Sequence, residues 1–176
     1  MHRTALVCLL IPALLWVATC GKKSDESPQA LWEKAETNFT IGEYQKALDS
    51  YTQLVKHYPK DSLAVPALFA MAEIYKNNLN ACDKATKVYH KILRKYKRDS
   101  RSPHALFMLG YTYANEIKDL KKAEKYYRQF IKRYPDHILR PSAEWELKYL
   151  GKNIDEIPEL QTLIADSTAS LPVTSK

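Results

Sequence analysis

Apolar residues recur through most of the chain at helical spacing, with charged and amide side chains filling the positions between. Leu68, Met71, Ala72 and Tyr75 follow i, i+3, i+4, i+7, and so do Ala85, Val88, Tyr89 and Ile92. Such spacing gathers the apolar groups into one stripe along a helix. The same reading predicts helices at 28–40, 43–57, 65–78, 81–96, 103–116, 119–134 and 141–150. Prolines punctuate them as the backbone requires. Pro66, Pro103 and Pro141 fall near helix starts, where a missing N–H costs nothing. Pro59 and Pro135 follow tyrosines that end helices, since the residue before a proline disfavours the α region.

The pattern is periodic at a longer scale. HYPKDS at 57–62 returns as KYKRDS at 95–100 and RYPDHI at 133–138, so Tyr58, Tyr96 and Tyr134 stand 38 residues apart. The same shift superposes Ala47, Ala85 and Ala123, then Tyr51, Tyr89 and Tyr127, then Leu54, Ile92 and Phe130. It also superposes Ala67, Ala105 and Ala143. A fixed period of this length marks a stacked array whose units cannot each bury their own apolar face. The expected fold is all-α: a right-handed α-solenoid of helix–turn–helix units with a period of 38 residues, three hairpins and the first helix of a fourth. Cys82 is expected in the core as a small apolar residue.

At this point the units resemble tetratricopeptide repeats. In unit one Ala35, Gly42, Tyr44, Ala47, Tyr51 and Pro59 stand at that motif's small, Gly, Tyr, Ala, aromatic and Pro positions. Unit three supplies Leu109-Gly110, Tyr113, Ala123, Tyr127 and Pro135, and units two and three carry one extra residue in the turn. The resemblance covers residues 28–150. It implies that first helices line a concave groove for a protein partner and that second helices form the outer surface. Carried over by position, the groove row is Trp32, Phe69, Phe107 and Trp145. Beside it run Glu36, Glu73, Tyr111 and Tyr149, then Phe39, Asn77, Asn115 and Asn153. Such an aromatic row fits an extended peptide or an amphipathic helix. The other reading of the same rings is packing between adjacent first helices. The partner-binding residues expected from this row are Trp32, Phe69, Glu73, Phe107, Tyr111, Asn115, Trp145 and Tyr149.

The first twenty residues are different in kind. A short basic start precedes the apolar ALVCLLIPALLWVA, and small residues end it, which is the pattern of an export signal at 1–19. Val17-Ala18-Thr19-Cys20 resembles the bacterial lipobox, in which the Cys is acylated and becomes the mature N-terminus. That resemblance makes Cys20 the expected lipidation site, residues 20–29 a tether, and the N-terminal lipid the contact with the membrane. Gly21 in place of Asp favours the outer membrane under the proteobacterial sorting pattern, so the expected place is its periplasmic face in the cell envelope. Cys8 lies in the signal and Cys20 would carry lipid, which leaves Cys82 with no partner for an internal disulfide. The long period and Tyr-Pro endings resemble BamD-like lipoproteins of outer-membrane barrel assembly and Tol–Pal-associated repeat proteins. The partner so implied is another envelope protein.

Charge narrows the picture further. The chain has 27 Lys and Arg against 20 Asp and Glu, a formal charge of +7. The excess collects on and just beside the predicted second helices, at Lys84, Lys87, Lys91, Arg94, Lys95, Lys97, Arg98 and Arg101, and at Lys118, Lys121, Lys122, Lys125, Arg128, Lys132 and Arg133, which are expected to spread over the outer face. Read functionally, that face meets acidic partners or anionic headgroups; read structurally, it is a solvated helix face. Nucleic acid is not an expected partner for an exported chain. No HExxH, CxxC, phosphate loop or GxSxG occurs, and the five histidines form no close pair, so no catalytic residue, metal or cofactor is expected. Residues 151–176 lose the repeat. A capping helix is expected at Asp155–Asp166, with Ile157, Leu160 and Leu163/Ile164 as its stripe, before a disordered tail.

Overall fold

The computed structural model describes residues 26–162. Seven α-helices form hairpins in sequence order: α1 (Pro28–Thr40) with α2 (Tyr44–His57), α3 (Ala64–Glu73) with α4 (Cys82–Lys95), α5 (Ser102–Tyr111) with α6 (Leu120–Arg133), and α7 (Arg140–Lys148) alone. Each second helix packs on its own first helix and on the first helix of the next unit, α2 on α3, α4 on α5 and α6 on α7. Neighbour-to-neighbour stacking of this kind is the solenoid principle. The described residues are helical without strands, as the 3.6-residue spacing predicts. The expected signal at 1–19, Cys20 and the tail beyond 162 lie outside the described residues.

The residues that superpose at 38 form the core. Ala47, Ala85 and Ala123 are fully buried, as are Ala67, Ala105 and Ala143 and the trio Leu54, Ile92 and Phe130. Tyr51, Tyr89 and Tyr127 are buried to the ring, one per unit. A small residue of each first helix stands at the matching level. In units one and two it is Ala35 and Ala72; in unit three it is Gly110, where a Cβ would lie 2.7 Å from two atoms of the Tyr127 ring.

The repeated phrase is turn chemistry. Tyr58, Tyr96 and Tyr134 close the second helices by donating N–H to the carbonyls of Leu54, Ile92 and Phe130, four residues back. Asp61 and Asp99 then accept the N–H two residues on, Leu63 at 2.8 Å and Arg101 at 2.9 Å. His137 takes the same place in unit three, its Nδ1 accepting from Leu139 N–H at 3.1 Å. A side-chain acceptor two residues back is the turn device of Asp and Asn, and here a ring nitrogen of His137 imitates it.

The extra residue of units two and three lies inside the first helix rather than in the turn. Helix α3 runs into a π turn at Ile74–Asn78, and α5 into another at Thr112–Glu116. A π turn absorbs one inserted residue without breaking the helix. All three hairpins can then close through one left-handed residue, Gly42 (φ 81°), Asn80 (φ 48°) or Lys118 (φ 62°), again 38 apart.

Two expectations are corrected. Cys82 is half-buried at the start of α4, away from the core, because the first turn of that helix faces the hairpin opening. The helix expected over Asp155–Asp166 is broken: a 3-10 turn at Ile154–Glu156 is followed by a separate helical turn at 158–162. Pro158 accounts for the break, since it disfavours the α conformation at Ile157. Ile157 is nevertheless buried and Leu160 partly so.

Candidate functional site: the face of the first helices

The first helices leave openings between units. A cavity of about 180 Å³ lies between α1 and α3, lined by Glu36, Phe39, Tyr51, Ala70, Glu73 and Ile74 with Asn77 and Asn78 of the π turn. A second, about 410 Å³, lies between α3 and the start of α5, lined by Pro66, Phe69, Ala70, Glu73, Arg101 and His104. Glu73 and Ala70 are common to both. A third, about 490 Å³, opens between the end of unit three and the C-terminal segment, with Asn115, Trp145, Glu146, Tyr149 and Ile157 in its wall.

The row expected from sequence is divided among these places. Phe69 and Glu73 come together at the second cavity, and Asn115, Trp145 and Tyr149 at the third. Trp32, Phe107 and Tyr111 line none of the three. Trp32 sits edge-on to Tyr51 at 5.3 Å, Phe69 is tilted against Tyr89 at 6.1 Å, and Phe107 against Tyr127 at 5.7 Å. Each of these three rings packs on the buried tyrosine of its own unit, and Phe69 also meets a ring of the next first helix, His104. The rings stay half-exposed, and Trp145, 40% exposed over Tyr149 at 4.5 Å, is the most open. Tyr149 itself is buried at 7%, so it supports Trp145 as the floor of the third cavity rather than its open face. Tyr111 is half-buried under the Lys76 ammonium, 5.5 Å from its ring centre. The Asn115 amide donates to the Tyr111 carbonyl at 3.2 Å.

The buried tyrosines organise the carboxylates of this face. Tyr51 donates its hydroxyl to Glu36, and Glu73 also bears on it. Burial, then these carboxylates, raise the Tyr51 phenol far above its ordinary range. Tyr89 is raised by burial and then by Glu73. Unit three has Tyr111 where units one and two have glutamate, and its partner comes from the next unit: Tyr127 donates to Glu146 of α7 at 3.3 Å. Burial pushes the Glu146 carboxyl up, and the Tyr127 hydroxyl partly offsets this. His104 stands edge-on to Phe69 at 5.4 Å. Burial lowers its imidazole, Glu73 opposes that, and His137 adds to it.

Sequence reasoning missed His104 and Glu146 as members of this face, and the expectation that Arg101 joins the cations of the outer face is corrected: it lines the second cavity. His104 and Arg101 flank the Ser102-Pro103 helix start, whose spacing marks the turn and not the face its neighbours join. Glu146 carried a signal: a column of glutamates interrupted by Tyr111 leaves Tyr127 in need of another acceptor. Among the described residues no group of histidines, cysteines and carboxylates is arranged to hold a metal.

The tetratricopeptide repeat family model matches this chain three times, at residues 29–61, 66–98 and 104–137. The three matches span more than half of the sequence and coincide with the three hairpins. The chain belongs to the tetratricopeptide repeat family. A similar solved structure is that of nearly identical TPR-like repeats from Podosopora anserina, labelled as a kinesin light chain. It is 15% identical with a TM-score of 0.58, over 86% of this chain and 77% of that one. At that identity the likeness is one of fold. No curated protein matches the sequence.

Proposed function

We propose that this chain is a lipid-anchored scaffold of a bacterial envelope, which holds a segment of another envelope protein against the face of its first helices. Membership of a repeat family whose arrays serve as protein-interaction scaffolds supports the general part of this reading. The observation that carries it is the pair of adjoining openings around Phe69 and Glu73, where half-exposed rings and carboxylates meet on one side of the array. The anchoring rests on Val17–Cys20 and the apolar stretch before it. Several acyl chains, at about 0.8 kcal/mol per buried CH₂, give stable attachment. A BamD-like role in outer-membrane barrel assembly is the specific form this takes.

Crosslinking the lipidated protein in its own envelope, with Cys20→Ser as control, tests the proposal. Recovery of a barrel-assembly protein, lost in the variant, is the expected result. Recovery of cell-wall or division proteins would replace the assembly role with an adaptor role of the Tol–Pal-associated kind.

A second reading rests on the outer face. Lys91 of α4 has its ammonium lowered by burial and by Lys95 and Arg94, which shows cations crowded without compensating acids. Beside it His90 meets Tyr126 of α6 at 3.2 Å, and its imidazole is lowered by burial, Lys125 and Arg94. A surface of this kind supports contact with anionic headgroups, expected to weaken steeply as salt rises.

A further inference from the structure

The two faces of the array differ in charge as well as in shape. Among the described residues the ion pairs are Lys34–Glu26, Lys46–Glu43, Arg101–Asp99, Lys122–Asp119, Arg128–Glu124, Arg140–Glu144 and Lys148–Glu159. None of them uses Glu36 or Glu73. In a chain with 27 cations and 20 acids, two neighbouring carboxylates without a cation are unexpected on composition alone. Both bear on the Tyr51 hydroxyl from adjacent first helices, and no Lys or Arg lines the cavity between them.

The nearby cation does not cancel this field. Arg101, across the larger cavity, is held by Asp99 through Nε–Oδ1 and Nη2–Oδ2 contacts of 2.8 Å each, so its charge is already matched. His104 tends to the neutral form through burial against Phe69. The surroundings of the carboxylates are apolar: Phe39, 41% exposed, beside the smaller cavity, and Phe69, Ala70 and Pro66 around the larger. Asn77 and Asn78 add amides of the type that pair with an extended backbone.

Resting on the scaffold reading above, we infer that this groove selects a partner segment in which lysine or arginine stands two residues from an apolar side chain, so that both face the array. The cation enters between Glu36 and Glu73, and the apolar neighbour fills the opening beside Phe69. A positive charge there meets two exposed carboxylates on adjacent first helices, Glu36 held by the Tyr51 hydroxyl and Glu73 beside it, so the attraction depends on salt. An acidic segment would face the same carboxylates with like charge and is disfavoured for that reason.

The test uses the full-length chain and three labelled synthetic peptides of equal length, repeating leucine, serine, Xaa, serine with Xaa as lysine, serine or glutamate, so that leucine and Xaa share a face. Fluorescence anisotropy is expected to show the lysine peptide binding roughly tenfold more tightly than the serine peptide, a difference of about 1.4 kcal/mol. The glutamate peptide is expected to bind most weakly. Glu36→Gln and Glu73→Gln should each erase most of the lysine preference and flatten its salt dependence, with the circular dichroism spectrum unchanged. Equal binding of the lysine and serine peptides overturns the charge selection and leaves the scaffold reading standing. A lysine preference that survives both glutamine variants does the same, because the cation is then read elsewhere. Failure of all three peptides to bind overturns the groove as a peptide site and this inference with it. Tightest binding by the glutamate peptide, abolished by Lys91→Glu, puts the contact on the outer face and also overturns it.

Discussion

Gly110 and Lys118 are eight residues apart and fail in opposite ways. Gly110 is where the chain needs the absence of a side chain, since a Cβ would enter the ring of Tyr127, itself fully buried. The neighbours Phe107 and Phe130 leave that ring little room to retreat. Gly110→Ala is expected to destabilise by about 2 kcal/mol, the usual cost of forcing extra volume into a packed core. A lowered urea midpoint at unchanged slope is the check. Lys118 is where the chain carries a side chain it would be better without. Its φ of 62° is left-handed, which costs a residue with a Cβ about 1 kcal/mol relative to glycine. The equivalent residue of unit one is Gly42. Lys118→Gly is expected to raise Tm by a few degrees in a thermal scan, and a fall would show that the Lys118 side chain makes a contact worth more than the backbone strain. The column 42, 80, 118 keeps the 38-residue spacing. Gly42 and Asn80 are residue types that visit the left-handed region readily, whereas lysine gives no sign of it.

At the scale of the element, the turns between units were the most legible part of the sequence and the π turns the least. The phrase around Tyr58 was repeated because three linked turns must repeat, and Asp61 and Asp99 serve in two of them as acceptors. That units two and three held one extra residue was also visible, but its place was not. Sequence spacing counts residues and cannot tell a longer loop from a wider helical turn, since both move the next helix by the same amount. The Asp99 turn yields a pH dependence. The Arg101 guanidinium, and then the Arg101 backbone N–H, hold the Asp99 carboxyl below its ordinary value against a smaller opposing effect of burial. A carboxyl depressed in the folded state contributes stability that is fully present above the unfolded value of about 3.9 and is lost as pH falls through the folded one. Asp99→Asn keeps an acceptor for the turn but removes this titration. Its urea midpoint should therefore fall less steeply than that of the parent below pH about 4. Parallel curves for the two proteins would show that the pair contributes nothing measurable, as for many exposed ion pairs.

For the whole molecule, the first helix of the fourth unit is followed, among the described residues, by no second helix like those of the other units, and the segment after it packs in that place. Tyr149 and Ile157 are buried there, Gly151 turns with φ 79° against Leu120, and Lys148 Nζ reaches Glu159 at 2.7 Å. A chain ending at Gly151 would uncover α7 and the third cavity. It is expected to lose stability mainly in units three and four, so that amide exchange quickens in α6 and α7 while α1 and α2 keep their protection. Uniform loss across all helices would mean that the array unfolds as one cooperative body. The need for a cap was legible because the repeat stops; its form was not, because Pro158 breaks the apolar stripe just where a helix was expected to continue. The face of the first helices was half legible. The aromatic row lies on those helices, but pairing its rings with the tyrosine of their own unit needs three-dimensional adjacency that spacing does not contain.

The three second helices begin at Tyr44, Cys82 and Leu120 and end at His57, Lys95 and Arg133, an identical interval each time. Each hands on to its successor a surface of the same residue classes: a fully buried alanine, a tyrosine ring and a large apolar side chain. The joints are therefore interchangeable couplings. A gene that duplicated or deleted one 38-residue cassette, cut anywhere in the repeated phrase, would encode a longer or shorter rod without any new interface having to be invented.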